Sequence, residues 1–359
     1  MWVGVQFQAD RIALSPSNRW PPPLSNLDML TTRLAQTVIN SLLRSSTTTR
    51  YEQCKLKLLR KARRWLVQHG DPLISCSFDG VDLLMPLSHE LPFYRKSLPD
   101  YGTNLGRIVR HVQGKYPDLA FIDIGANIGD TLATVRRFVR LPVLGIEGDD
   151  RFFAVLQLNA PRLGPDVFLE KSFISHRSGL FPGSVERQSG TARLIRSTEN
   201  SGDDLKVKTL SGVLAGHASF RGAKMLKVDA DGFDISILRS ELELLGRMRP
   251  VLFFEYDPYL FPQNEEDGFE IFGNLQSAGY RQAIFYENNG DYLLTAELSQ
   301  VNLLEDLHHF YEGRRSNRYC DICAFHSDDL DLCTDVRLAE IDYFRRLRLE
   351  NGPPMAPST

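Results

Sequence analysis

Asp123, Gly125, Asn127, Gly129 and Asp130 fall within eight residues, at and just after the end of the apolar run AFIDIG. Glycines in such a turn let the backbone approach a ligand and swing tightly into a helix. A dinucleotide fingerprint would need glycine at 125, 127 and 130, but Asn127 and Asp130 stand at the last two. Asp130 occupies the place where a helix N-terminus would hold a pyrophosphate, and a carboxylate there repels it. No GxxxxGK[ST] loop is present either. An acidic, glycine-rich turn suits a ligand without phosphates, and better still a cationic one. Glu147 ends the next apolar run, 24 residues after Asp123, where a carboxylate accepts two hydrogen bonds from a ribose diol. The two run ends together describe an adenosine with a small positive tail, and S-adenosylmethionine fits that description.

Two further apolar runs, MLKVDADG and PVLFFEYDP, also end in acids. Asp229 and Asp231 are two apart, as are Glu255 and Asp257, so an extended backbone points each pair one way. Four acids near one edge repel one another unless one holds a proton or a cation sits among them. Oxygen ligands alone suit Mg²⁺ or Ca²⁺, and the expected set is Asp229, Glu255 and Asp257. The alternative is that Lys227, Lys224 or substrate hydroxyls satisfy the acids. A hydroxyl is a poor nucleophile at neutral pH and needs a base or a cation beside it. Asp229, Asp231 and Glu255 are the expected catalytic groups. His89, His176 and His326 read as structural. Cys320 and Cys323 would face opposite sides of a strand, which argues against a shared zinc ion.

These residues need elements that bring their ends together. Apolar strands at 120–125, 141–148, 167–175, 225–232 and 250–258 alternate with amphipathic helices. That rhythm predicts βαβ units and a parallel, doubly wound α/β sheet covered on both faces. Residues 177–204 interrupt it, as a hairpin or flap near the acceptor or as a disordered insertion. A hairpin is expected over 280–295 and a late strand over 318–325; if that strand is antiparallel, His326 ends it on the side away from the site. Ahead of the sheet, residues 1–26 read as a poorly ordered leader and 27–75 as a helical extension. The domain proper spans 76–334, with its core from about 119, and a helix and tail fill 335–359. The helix over 51–69 is strongly basic. It is expected to dock through Leu58, Leu59, Ala62, Trp65 and Leu66 rather than to bind a membrane.

In order and spacing, FIDIGANIGDT, GIEGD, SFIS, LKVDADGFDISIL and FFEYDP resemble the motifs of FkbM-type methyltransferases over about 76–335. The resemblance implies a class I, Rossmann-like sheet of the seven-stranded type. It also implies an S-adenosylmethionine-dependent O-methyltransferase of the kind often placed in glycan or natural-product pathways. Carried over by position, it makes Asp123, Gly125, Asn127 and Gly129 the cofactor loop, with Asp130 next to it, and Glu147 the ribose acid. Ser172 and Phe173 then lie where the adenine is contacted. The family usually has Glu where this chain has Asp231. Class I methyltransferases that use a metal hold it with carboxylates at these two strand ends.

Composition narrows the partners. Against 45 Asp+Glu stand 42 Lys+Arg, a net charge of -3, so the chain has no surplus of positive charge for nucleic acid. No run approaches the length of a membrane span, and five cysteines in 359 residues are no disulfide framework. A cytoplasmic enzyme is expected, acting on a small-molecule or glycan hydroxyl, with self-association possible. The rival readings are a nicotinamide-dependent oxidoreductase, a methyltransferase of nucleic-acid bases and a binding or scaffold protein that keeps the fold.

Overall fold

Each apolar run in the middle of the chain is too short to bury itself, and each following helix is apolar on one face only. A computed structural model describes residues 26–45, 49–188, 190–196, 204–230, 232–261, 268–313 and 318–351. The leader and the last eight residues of the tail lie outside them, apart from Asn26. The chain opens with α1 (Asn26–Arg44), α2 (Arg50–Gln68), the hairpin β1 (Leu73–Phe78) and β2 (Val81–Pro86), α3 (Leu91–Ser97) and α4 (Thr103–Lys115). Next come β3 (Phe121–Ile124), α5 (Asp130–Arg136), β4 (Val143–Glu147), α6 (Asp150–Leu163), β5 (Val167–Lys171) and β6 (Phe173–Ile174). β7 (Gly179–Gln188), β8 (Thr191–Arg196), β9 (Asp204–Lys208), α7 (Leu210–Gly216), β10 (Met225–Val228), α8 (Asp234–Ser240), α9 (Leu242–Met248) and β11 (Val251–Tyr256) follow. The last elements are α10 (Ile271–Ser277), β12 (Tyr280–Glu287), β13 (Tyr292–Glu297), α11 (Val301–Glu312), β14 (Cys320–His326) and α12 (Leu330–Asn351).

Eight strands form one sheet in the order β13-β12-β14-β11-β10-β3-β4-β5. From β5 to β11 neighbouring strands are parallel, while β14 runs against both β11 and β12. The chain builds outward from β3 to β5, then returns to the other side of β3 with β10 and β11. Strand order therefore reverses between β3 and β10, and ligands of open α/β sheets bind at the carboxyl ends beside such a reversal. Side chains of α4, α5, α6 and α12 share one apolar layer, and those of α7 to α11 share the other.

Several expected elements are cut differently. The strand expected over 167–175 changes sheets at Ser172, whose N–H donates to the Glu147 carbonyl at 3.1 Å. β5 stays in the large sheet, and β6 joins a second one of order β6-β9-β7-β8. The segment 177–204 contributes the β7–β8 hairpin of that sheet; Ser189 and residues 197–203 lie outside the described residues. Between β10 and β11 the helical segment is split into α8 and α9 at Glu241, whose carboxylate accepts from Ser211 N–H at 3.0 Å and from its hydroxyl at 3.1 Å. The expected docking stripe of α2 is also misphased. Leu66 and Val67 are buried and Leu56, Leu59 and Ala62 pack on the core, but Leu58 is 67% and Trp65 53% exposed. Leu58 and Trp65 are seven residues apart and so share a face of their own. Among the described residues no helix is long and apolar enough to cross a membrane.

Candidate active site

The loop after β3 is held in a conformation that few side chains tolerate. Gly125 has φ +79°, and a Cβ there would lie 1.8 Å from the Asp229 carbonyl oxygen. Asn127 (φ 48°) and Gly129 (φ 90°) are also left-handed. The N–H groups of Gly125 and Ala126 both donate to the Ile146 carbonyl at 3.0 Å, so β4 supports the loop from one side. Glu147 completes that support. One carboxylate oxygen accepts from Asn127 N–H at 2.8 Å and the other from Asp149 N–H at 2.7 Å. The residue expected to hold a ribose therefore also staples the glycine loop to the next turn.

Around this loop opens a cavity of about 210 Å³. Of the expected cofactor residues, Gly125, Asn127, Asp130, Glu147, Ser172 and Phe173 line it. The Phe173 ring lies so close to Gly148 that a Cβ on the glycine would come within 2.2 Å of it. The hairpin covers this wall: Asn127 donates through Nδ2 to the Gly190 carbonyl at 2.7 Å, and Arg187 ion-pairs with Asp149 at 2.6 Å. Asp149 is the N-cap of α6 and accepts from the N–H groups of Arg151 and Phe152. Asp123 and Gly129 are not brought to the cavity wall. Asp123 is fully buried beneath the loop, 3.2 Å from Lys227 Nζ. Burial pushes its carboxyl up to about 6, against the pull of the Lys227 charge. Lys227 is buried too; burial opposes its charge, but Asp123 and Asp229 together push its pKa up and keep it an ammonium.

The acids at the ends of β10 and β11 separate. Asp229 faces the cavity, with its side chain 44% exposed and one oxygen 3.0 Å from Lys227 Nζ. Glu255 faces the same space. Asp231 lies outside the described residues. Asp257 is buried in the turn after β11, where it accepts from Tyr259 N–H at 3.2 Å and stands off the cavity wall. The expected metal set of Asp229, Glu255 and Asp257 is thus not assembled. Among the described residues no three His, Cys, Asp or Glu side chains are grouped to hold a metal ion. Lys227 is the cation that meets the Asp229 charge, while Lys224 is turned away to the carbonyls of Met248 and Arg249.

A second lobe of about 110 Å³ continues the cleft past Asp229 and Glu255. Its walls include Tyr101, Asn104, Asn288, Tyr319 and Asp321, residues absent from the expected site. Asp321 is the register partner of Glu255 on β14. The reversed direction of β14, which sends His326 to the far end, brings its first residues to the carboxyl edge of the sheet. His89 also lines the first lobe, with Nδ1 accepting from Leu91 N–H at 3.2 Å and burial lowering its pKa. Its ring lies under the hairpin tip, about 3.0 Å from where a Cβ on Gly190 would sit. His176 is off the cavity wall. Cys320 and Cys323 enter the apolar layers on opposite faces of the sheet.

Residues 123–282 match the sequence model of the methyltransferase FkbM domain. No curated protein matches. Among solved structures, a methyltransferase FkbM from Methylobacillus flagellatus KT is 14% identical, with a TM-score of 0.32 over 46% of this chain and 40% of that one. Precorrin-6y C5,15-methyltransferase from Geobacter metallireducens GS-15 is 12% identical, with a TM-score of 0.32 over 58% and 80%. An O-methyltransferase from Bacillus cereus in complex with SAH is 10% identical, with a TM-score of 0.33 over 63% and 80%. The assignment rests on the family match over 123–282, together with the sheet order and the loop after β3. The stretch that matches the methyltransferase FkbM domain holds the reversal point of the sheet, and the chain is a methyltransferase.

Proposed function

We propose that this chain transfers the methyl group of S-adenosylmethionine to a hydroxyl of a sugar, glycan or glycoside. One observation supports the cofactor above the others: Glu147 stands on the cavity wall at the end of β4, facing a glycine loop too tight for any other residue at 125. The two backbone N–H groups fix this carboxylate at the cavity wall, and a carboxylate there is an acceptor for the hydroxyls of a ribose diol. Phe173 and Phe152 give an adenine apolar faces, and Asp130 and Asp229 suit a cationic tail rather than a pyrophosphate. Bound there, S-adenosylmethionine supplies an electrophilic methyl carbon. The protein's part is to align the acceptor oxygen with that carbon and to take a proton from it. Asp229 and Glu255 border both lobes and stand where an acceptor would meet the cofactor. The sugar acceptor rests on the family resemblance alone.

Calorimetric titration with S-adenosylhomocysteine and with NAD tests the cofactor. Binding of the first and not the second is expected. Glu147→Gln should weaken that binding by about 1.5–3 kcal/mol, the worth of a charge-assisted hydrogen bond. Glu147→Ala should cost more, because it also releases the loop. Binding of NAD alone, or equal affinity in wild type and Glu147→Gln, overturns the assignment.

A further inference from the structure

We propose that the second lobe is the chamber for a neutral, polyhydroxylated acceptor and that Asp321 takes the proton from its hydroxyl. The inference rests on the methyl-transfer reading and deepens it. Three adjacent strands carry it. Val228 pairs with Phe254, so Asp229 stands one step further along, level with Glu255, and Glu255 pairs with Asp321. Glu255 and Asp321 are directly opposed on an antiparallel pair, where Cβ atoms lie about 4.5–5.5 Å apart. The three acids thus form a row across the carboxyl edge of the sheet, and all three line the second lobe.

An independent feature marks the lobe as a binding site. Asn104, at the start of α4, is 1% exposed and lines the lobe, and its Nδ2 has no hydrogen-bond partner in this structure. An unpaired buried donor is costly, and an oxygen of a bound molecule is what satisfies it. The carboxylates of Asp229, Glu255 and Asp321 accept, and the hydroxyls of Tyr101 and Tyr319 both donate and accept. That mixture suits a molecule with several hydroxyls.

Charge sets the class of acceptor. Asp130, Asp229, Glu255 and Asp321 face the lobe. Against them stands Lys227, already held by Asp123 and Asp229, and Arg95, which is held by Asp79 and Thr134. A phosphate or carboxylate on the acceptor would meet repulsion. The groups around Asp321 are Lys227 from β10, Asp229 just after it, Glu255 from β11, Asp130 from α5, Asp234 from α8 and Tyr101 and Tyr319 beside it. Burial first and then the Asp229 charge hold the Asp321 carboxyl well above the usual range, with Lys227 pulling the other way. Its carboxylate is consequently a stronger base than an ordinary aspartate.

The step balances. The hydroxyl oxygen forms its bond to the methyl carbon, the carbon–sulfur bond breaks, and its electron pair stays on sulfur. The hydroxyl proton passes to Asp321, which returns it to solvent.

The test uses methyl α-glucoside as the neutral probe, and glucuronate and glucose 6-phosphate as anionic ones, with labelled S-adenosylmethionine. The glucoside should be methylated and the anions refused. Asp321→Asn should cut that turnover at least 100-fold, leave the Kd for S-adenosylhomocysteine within threefold, and remove a carboxyl that titrates above the ordinary aspartate range in ¹³C NMR of the wild type. Asp321→Gly should regain part of its turnover with added formate. Should Asp321→Asn not fold, Asp321→Glu and the wild-type titration carry the test. Turnover within threefold of wild type in Asp321→Asn overturns the proposal. So does an Asp321 carboxyl that titrates in the ordinary range, a preference for the anions, or refusal of all three probes while S-adenosylhomocysteine binds. If wild type does not bind S-adenosylhomocysteine, the methyl-transfer reading itself fails.

Discussion

The two lobes of the cleft are built in opposite ways. The first lobe, where the proposed reading seats the cofactor, is drawn largely from consecutive turns of the large sheet: residues 125–130 after β3, 147–152 at and after the end of β4 and 172–174 after β5. The second lobe, where that reading seats the acceptor, is assembled from pieces far apart in the chain, Tyr101 and Asn104 before the sheet begins, Asn288 in a hairpin turn and Asp321 at its last strand. The family match over 123–282 contains the first set and leaves out Tyr101, Asn104, Asn288, Tyr319 and Asp321. A site formed by successive βα turns depends on local spacing, so its residues stay in one recognisable order. A site formed across an edge depends on which strands become neighbours.

Lys227 belongs to both lobes and offers the largest way to break the comparison. Lys227→Met strands the fully buried Asp123, and removing one partner of a buried pair costs about 3–5 kcal/mol. A urea midpoint lowered to match, with both S-adenosylhomocysteine binding and turnover impaired, is expected. A loss confined to one lobe would show that the lysine does not couple them.

Asp123 gives the next largest effect, through pH. Its folded pKa of about 6 lies above that of an unfolded aspartate, near 3.9, so the folded state holds the proton more tightly. This group's contribution to stability is therefore full below about pH 4, falls as pH rises to about 6, and is level beyond. The fall amounts to about 2–3 kcal/mol at 1.36 kcal/mol per pK unit. Urea midpoints between pH 4 and 7 should show this decline in wild type and lack it in Asp123→Asn. Parallel curves for the two proteins would refute the assignment.

Arg187→Gln sharpens the contrast at the smallest scale. It loosens the hairpin from Asp149 and touches only the cofactor side. The pair is partly exposed, so about 1 kcal/mol is at stake and S-adenosylhomocysteine should bind roughly fivefold more weakly. The pH dependence of turnover, set on the acceptor side, should not move.

The legibility of the site follows the same division. Gly125, Asn127, Asp130 and Glu147 were readable because they stand at or just after the end of an apolar run, Ser172 and Phe173 only through the family resemblance, and all six line the cavity. Asp123 sits inside its run, so it reads as a loop residue yet points beneath the loop to Lys227. Asp257 has the same two-residue spacing from Glu255 as Asp229 from Lys227, but the strand ends at Tyr256 and the turn draws Asp257 away. Asp321 carried a usable signal. A last strand that places His326 on the far side must place its beginning on the near side, and Asp321 is its second residue. The misphased stripe of α2 has another cause: Arg63 on the docked side is satisfied by the carbonyls of Leu87 and Ser88 and by Glu90, so a charged residue there does not mark the solvent face.

The sign of the cleft also bears on how the enzyme would let go. Asp130 and Asp229 stand beside the loop with Lys227 as the buried counter-charge. On the proposed reading, the cofactor arrives as a sulfonium and leaves as a neutral thioether. The adenosine contacts are the same for both, but the electrostatic attraction holds only the incoming form. A negative wall thus makes the spent molecule the weaker ligand and limits product inhibition without any moving part.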